Sequence, residues 1–331
     1  MSSVPSPNTP WIDPDLIPPA PVDAVIFDVD GVLFETSGSF DTAVKVTTHD
    51  VLTQVFGQED PRPVTEPELR LFRKAGGLNN DWDMAFTLIA LRLAGRGDTP
   101  EETAAAASES GGRGRDWAEE ILPAGVRLDY GLVVHIFNEY YWGAEHFERV
   151  FGLPARFAPQ EAGLWRQEEQ LLSVDLPDRL RAAGVRVFGI ATGRTRDELD
   201  LVYRSAGLDQ HIPESYIMTG DSLSKPDPRV LDAVISAMSQ QAQADGQPPI
   251  RTVLYCGDTM DDLQAVLNYR TMSQSRPSAD GAPRPQWVGA VAVTRAQDFP
   301  FFAGAGSDIA VEHIDQLEQV VRTLNDRLER G

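Results

Sequence analysis

Val25-Ile26-Phe27-Asp28-Val29-Asp30-Gly31-Val32-Leu33-Phe34 is the stretch on which the reading of this chain turns. A short apolar run stops at Asp28. A second carboxylate follows two residues on, and Gly31 lets the backbone turn sharply. Two acids at the end of an apolar strand are poor core material. They suit a nucleophile or metal ligand with an acid/base beside it. The bland alternative is a strand followed by an Asp-Gly turn, so the rest of the chain must supply the parts such a pair needs.

Bulk properties narrow the field. At 331 residues the chain exceeds one ordinary domain, which predicts two structural units or one domain with a large insertion. Hydrophobic residues make up 42%, enough for a full core. No stretch is long and apolar enough to span a bilayer. No Lys or Arg precedes Lys45 and there is no apolar leader run, so no secretory signal is expected. The single cysteine, Cys256, excludes an internal disulfide framework and a multi-cysteine zinc site. Together these features predict a cytoplasmic protein. A net charge of −21 argues against nucleic acid or an anionic membrane as partner. Of 29 basic residues only Lys45, Lys74 and Lys225 are lysines, so each lysine merits a question.

Residues 1–21 hold seven prolines and read as an irregular or extended tail. The first strand is placed near 24–28. From 40 to about 170 the pattern is mostly helical, with helices at 41–56, 65–74, 81–93 and 116–121 and a long apolar stretch at 128–151. Within it, 94–114 is rich in Gly, Ala, Ser and Glu and reads as a mobile loop. Beyond about 171, strands near 185–191, 216–219, 252–256, 287–293 and 309–311 alternate with helices near 196–206, 228–241, 261–269 and 314–328. Strands separated by helices imply a parallel, doubly wound α/β sheet of Rossmann-like type. The first strand must join that sheet, which makes 37–171 a helical insertion between 22–36 and 172–331. Residues 273–285 read as a surface loop.

In a doubly wound sheet, ligands sit at the carboxyl ends of the strands. Four blocks fall there: Asp28-Val29-Asp30-Gly31, Ala191-Thr192-Gly193-Arg194, Ser224-Lys225-Pro226-Asp227, and Gly257-Asp258-Thr259-Met260-Asp261-Asp262. In this order they resemble the haloacid dehalogenase-like superfamily, over about residues 22–36 and 185–270. The helical insertion resembles the cap of the subfamily with phosphoglycolate phosphatase-like and β-phosphoglucomutase-like members.

The resemblance implies specific roles. Asp28 would attack phosphorus and form an aspartyl-phosphate. Asp30 would protonate the leaving alcohol and then activate water. Asp28, Asp258 and the backbone carbonyl of Asp30 would hold Mg²⁺. Thr192 and the Gly193 N–H would bind phosphoryl oxygens, and Lys225 would neutralise their charge. Asp262, and Asp261 less directly, would orient Lys225 or metal-bound water. Arg194 either touches substrate or caps a loop. An acid at position 30 points to phosphate chemistry rather than dehalogenation. The phosphonate-cleaving branch would need a cap lysine, and neither Lys45 nor Lys74 stands in a context that marks it for that job.

Around Lys74-Ala75-Gly76-Gly77-Leu78-Asn79-Asn80-Asp81, a helix–helix turn explains most residue types. The functional alternative is a substrate loop bearing Lys74, Asn79 and Asn80. The aromatic stretch Phe137, Tyr140, Tyr141, Trp142, Phe147 and Phe151 reads as cap core or a dimer face. The five histidines read as structural, and Cys256 as a small buried hydrophobe. The expected protein is a Mg²⁺-dependent phosphatase for a small phosphorylated metabolite, monomeric or homodimeric. A sugar-phosphate phosphomutase using the same aspartyl-phosphate is the alternative. A non-catalytic binding protein on this fold is the third reading.

Overall fold

A computed structural model describes residues 9–75, 78, 80–204, 206–275 and 283–330. The chain divides into two compact units, one formed by residues 1–35 with 170–331 and the other by 36–169.

The first unit is built on a seven-stranded sheet. Its strands are β1 (Trp11–Ile12), β2 (Ala24–Phe27), β5 (Val187–Ala191), β6 (Ile217–Met218), β7 (Thr252–Gly257), β8 (Trp287–Val293) and β9 (Ile309–Val311). The two-residue strands β3 (Phe34–Glu35) and β4 (Glu169–Gln170) mark where the chain leaves and re-enters this unit. The sheet order is β1-β9-β8-β7-β2-β5-β6. All pairings are parallel except β1 on β9. Every residue of β2 and β7 is buried, as expected for strands covered on both faces. The helices of this unit are α8 (Leu176–Ala182), α9 (Arg196–Tyr203), α10 (Arg229–Ala244), α11 (Met260–Ser275), α12 (Phe299–Ala305) and α13 (Leu317–Arg330). Register places the chemistry: Phe27 is level with Ile190 on β5 and with Cys256 on β7. Asp28, Thr192 and Asp258 therefore all emerge at one edge of three adjacent strands.

The second unit is helical, with α1 (Thr42–Asp50), α2 (Glu66–Ala75), α3 (Asp81–Leu93), α4 (Pro100–Ser110), α5 (Arg115–Ile121), α6 (Tyr130–Trp142) and α7 (Ala144–Phe151). Wider π-type turns flank α1 at Ser37–Asp41 and Val51–Val55. In α3, Met84 through Arg92 are all buried, so it is the unit's central helix. Much of the aromatic stretch is core: Phe40 stacks on Tyr141 with centroids 4.6 Å apart, and Phe137 lies against both. Tyr140 is half-buried and Phe151 is exposed, at 42%.

Several expectations need correction. The segment 94–114 is not a loop, because α4 occupies its middle. Thr99 caps that helix by accepting the Glu102 N–H, Pro100 pre-sets its first turn, four consecutive alanines favour it, and Gly111 ends it at φ +53°. The glycines that suggested a loop lie at its ends. The apolar stretch 128–151 is two helices, broken at Gly143, where φ is +75° and a Cβ would sit 2.4 Å from the Ala162 carbonyl carbon. The proline-rich tail is not wholly irregular: Trp11 and Ile12, between Pro10 and Pro14, form an antiparallel edge strand on β9. Ala20 and Val22 are buried further on. Helices α8 and α12 were not expected. Most of 273–285 lies outside the described residues, and α11 runs to Ser275.

Candidate active site

Asp28 follows β2 directly, and its backbone N–H donates to the Cys256 carbonyl at 2.8 Å, extending the β2–β7 ladder by one residue. Its side chain is almost fully buried. Oδ2 pairs with Lys225 Nζ at 2.7 Å, and Oδ1 is buried without a hydrogen-bond partner. Lys225 also reaches Asp262 Oδ1 at 2.6 Å, so one ammonium bridges two carboxylates.

Asp262 is the best-satisfied acid of the group. Its Oδ1 also accepts from the Tyr255 hydroxyl at 2.5 Å, and Oδ2 accepts from the Thr259 N–H at 3.0 Å and hydroxyl at 2.5 Å. The Asp262 N–H donates back to Thr259 Oγ1 at 3.3 Å, so Thr259 and Asp262 form a reciprocal capping pair at the start of α11. Gly257 makes this possible, since a Cβ there would lie 2.3 Å from Asp262 Cβ. Asp258 completes the cluster: ligand oxygens of Asp28, Asp258 and Asp262 all lie within 4.8 Å of one another. Gly31 accommodates Asp258. A Cβ on it would sit 2.2 Å from Asp258 Oδ2, and its φ is +68°.

Electrostatics follow from this geometry. Burial pushes the Asp28 carboxyl up to about 7; Asp262 and Asp30 add to the rise and Lys225 opposes it. Asp258 is raised well above the carboxylate range by burial and by its neighbours Asp262 and Asp28. Burial works against the Asp262 charge too, but Lys225, Thr259 and Tyr255 outweigh it and hold that carboxyl low. For Lys225, burial is overcome by Asp262 and Asp28, which keep the ammonium firmly charged. Three clustered carboxylates thus have a single ammonium beside them, paired with Asp28 and Asp262. When all are ionised, two negative charges stay uncompensated, and a buried carboxylate oxygen lacks a partner. That is the donor set and charge deficit that a hard divalent cation fits. Of the four acids around it, Asp28 and Asp258 suit it best. Asp262 has both oxygens engaged, and the Asp30 carboxylate is held elsewhere.

The Asp30 side chain is 33% exposed and receives Nε and Nη2 of Arg194 on Oδ1, at 2.8 and 2.6 Å. The structure therefore sets the Arg194 guanidinium on Asp30, where the sequence left it either touching substrate or capping a loop. Thr192 Oγ1 accepts the Arg194 N–H at 3.2 Å, which leaves the hydroxyl proton available to donate. Gly193 is exposed, with no atom within 4 Å of a notional Cβ. Lys225, Thr192 and the three clustered acids are thus brought together.

The residues expected in the helical unit fare differently. Asn80 caps α3, its Oδ1 accepting from the Trp82 and Asp83 N–H groups at 2.9 and 3.4 Å, so the turn reading accounts for it. Lys74 is exposed in the last turn of α2. Asn79 lies outside the described residues. Lys45 stands 4.0 Å from Glu66. Sequence reasoning missed Tyr255, Thr259 and Gly220. Tyr255 carried a signal, because a tyrosine inside a fully buried strand must find a partner for its hydroxyl. Gly220 did not: a Cβ there would meet the Gly193 carbonyl oxygen at 2.2 Å, a contact between distant loops.

Comparison with known proteins agrees with this geometry. The family model of the haloacid dehalogenase-like hydrolases matches residues 22–268. The phosphatase Tt82 from Thermococcus thioreducens superposes with a TM-score of 0.58 and 26% identity, over 93% of this chain and 100% of that one. A predicted phosphoglycolate phosphatase from Haemophilus somnus 129PT gives a TM-score of 0.47 and 15% identity, over 90% of this chain and 97% of that one. A family IA haloacid dehalogenase-like hydrolase from Entamoeba histolytica gives 0.47 and 14%, over 93% and 100%. Among curated proteins, none matches the chain. No helix among the described residues is long and apolar enough to cross a membrane. The family match and the Thermococcus phosphatase support a phosphoric monoester hydrolase. With its strand-end acids, Lys225 and the Gly257-Asp258 turn gathered at one sheet edge, the chain belongs to the haloacid dehalogenase-like hydrolases.

Proposed function

We propose that this enzyme is a Mg²⁺-dependent phosphatase that hydrolyses a small phosphorylated metabolite through an aspartyl-phosphate on Asp28. The observation that carries the reading is the state of Asp28: one oxygen is fixed by Lys225, and the other is buried and unpartnered beside Asp258. In the first step an Asp28 oxygen forms a bond to phosphorus. The bond from phosphorus to the leaving oxygen breaks, and Asp30 gives that oxygen its proton. In the second, water attacks phosphorus, its proton passes to Asp30, and the bond to Asp28 breaks. The Thr192 hydroxyl and Gly193 N–H bind transferring oxygens, and Lys225 offsets their charge. Asp262, with Tyr255 and Thr259 behind it, keeps Lys225 aimed. Asp28, Asp258 and the Asp30 carbonyl would hold Mg²⁺, which when bound supplies the positive charge that the site lacks.

The helical unit, 36–169, is proposed as the cap that sets substrate choice, with Lys74 as its candidate contact. We place the enzyme in the cytoplasm as a monomer or homodimer, its strong negative charge keeping nucleic acid away.

Release of phosphate from a panel of phosphorylated metabolites, with Mg²⁺ and with chelator, tests the proposal. Mg²⁺-dependent hydrolysis of at least one supports it. Turnover that appears only when a sugar bisphosphate is added would replace it with a phosphomutase, and no turnover at all with a binding protein.

A further inference from the structure

Arg194 is a charged side chain that the steps above leave unused. It is also closed off, with its side chain 1% exposed against 33% for its partner Asp30. Nε and Nη2 both donate to one oxygen, Asp30 Oδ1, at 2.8 and 2.6 Å. The Arg194 backbone is tied as well. Its N–H donates to Thr192 Oγ1 at 3.2 Å, and its carbonyl accepts the Gly220 N–H at 2.8 Å. The next residue, Thr195, opens α9 through a capping box with Glu198. A guanidinium anchored at both ends of its residue, with two donors on one carboxylate oxygen, fixes the direction of that carboxylate as well as balancing its charge. Turning Nε or Nη2 toward a phosphoryl group would break this pair inside the protein.

We propose that Arg194 is a positioning residue for the acid/base. It grips Asp30 by Oδ1, so that Oδ2 is presented first to the leaving-group oxygen and then to the attacking water. This rests on the reading of Asp30 as acid/base. It explains how an acid a third exposed, on a turn beside Gly31, can be kept in one orientation through both steps.

Leaving-group dependence separates positioning from phosphate binding. An alkyl phosphate needs a proton on its departing oxygen, whereas p-nitrophenyl phosphate does not. In Arg194→Met, kcat/KM for an alkyl phosphate should fall about 100-fold, the scale of general acid catalysis, while that for p-nitrophenyl phosphate stays within about threefold. Its kcat on p-nitrophenyl phosphate should still drop, because water attack on phosphorylated Asp28 also needs Asp30, and a burst of one p-nitrophenol per enzyme should appear. Added guanidinium should restore part of the alkyl phosphate rate. If Arg194→Met does not fold, Arg194→Lys carries the same test, because one ammonium cannot reproduce the two-donor grip. Equal losses for both substrates, with raised KM and weaker inhibition by inorganic phosphate, would mean that Arg194 binds the phosphoryl group. That result, or no loss with either substrate, overturns the inference. Asp30→Asn is the reference. If it lacks the leaving-group signature, the acid/base reading falls and takes this inference with it. If it shows the signature and the Arg194 variants do not, only the role of Arg194 is wrong.

Discussion

The two units each bury a knot of charge, and the knots are built on opposite plans. In the helical unit, Glu68 faces two guanidiniums: Oε1 receives Arg62 at 2.5 Å and Arg92 at 2.8 Å, and Oε2 receives the Thr65 N–H at 2.9 Å and hydroxyl at 3.0 Å. Burial opposes its charge, yet these donors prevail and hold the carboxyl below its ordinary range. In the α/β unit, three clustered carboxylates have one ammonium beside them, paired with two of the three; Asp28 and Asp258 are pushed upward, and Asp28 Oδ1 lacks a partner. A buried carboxylate with donors on both oxygens and two cations beside it helps to rigidify a fold. One left short of positive charge costs stability and is kept for what it binds. Burial alone does not separate the two; the balance of donors and charge does.

The contrast is most exposed by removing one acid from each knot. Asp28→Asn removes the nucleophile and should lower kcat by at least about 10⁴-fold, within the range seen when a covalent-catalysis residue is lost. Glu68→Gln should leave kcat/KM nearly unchanged but strip the buried Arg92 guanidinium, and the half-buried Arg62, of their counter-ion, at a cost of about 3 kcal/mol. Phosphate release and denaturant melts measure the two effects. A stable, active Glu68→Gln protein would break the comparison from one side, and an active Asp28→Asn protein from the other. Next in size is Lys225→Arg, expected to lose about 100-fold in kcat because a planar fork does not replace a compact ammonium between Asp28 and Asp262.

The two knots also predict opposite responses to pH. Asp28 has its carboxyl raised to about 7, so the folded state holds a proton there that the unfolded chain releases near pH 4. Its contribution to the cation-free protein is favourable at low pH and is lost as pH rises through about 7. Glu68 is depressed, so its contribution is present above its unfolded value and is lost as pH falls. Without divalent cation, the melting temperature of Asp28→Asn relative to wild type should therefore climb between pH 5 and pH 8. Mg²⁺ should stabilise wild type more at pH 8 than at pH 5.5, where it competes with the proton. A Mg²⁺ shift that is flat across this range would remove the link between the charge deficit and the metal.

What could be read in advance differs between the units for the same physical reason. The α/β unit announces itself because each functional side chain follows an apolar strand directly, and strand ends in a parallel sheet converge. Asp28, Thr192 and Asp258 needed only local sequence and that rule. The partner of Arg194 was not legible: its guanidinium meets Asp30 across 164 residues of chain, and no local pattern encodes that contact. In the helical unit, α3 was read to the residue because both of its ends carry signals. Helix α4 was missed because glycines outside its caps were counted as loop. Asn80 admitted both a helix-turn and a substrate-loop reading, and its side chain closes the first turn of α3, a contact that Asn serves as well as it would serve a ligand.

The smallest expected effect is the finest test of the contrast, since it removes the same group from each knot. The Tyr255 hydroxyl has one proton, and its 2.5 Å approach to Asp262 Oδ1 places that proton on the carboxylate rather than on the Ala191 carbonyl at 3.2 Å. The Thr65 hydroxyl plays the matching part on Glu68. Tyr255→Phe and Thr65→Val each delete one donor to a buried carboxylate and should each cost about 1.5 kcal/mol in denaturant melts. Only Tyr255→Phe should touch turnover. Asp262 keeps Lys225 and Thr259, so the loss in kcat should be less than about tenfold, with KM unchanged, because Lys225 loses aim rather than charge. Equal stability losses with unequal kinetic ones would show that the knots share their hydrogen-bond energetics and differ in charge balance alone. A turnover loss in Thr65→Val as large as in Tyr255→Phe would mean that the helical knot also governs the reaction.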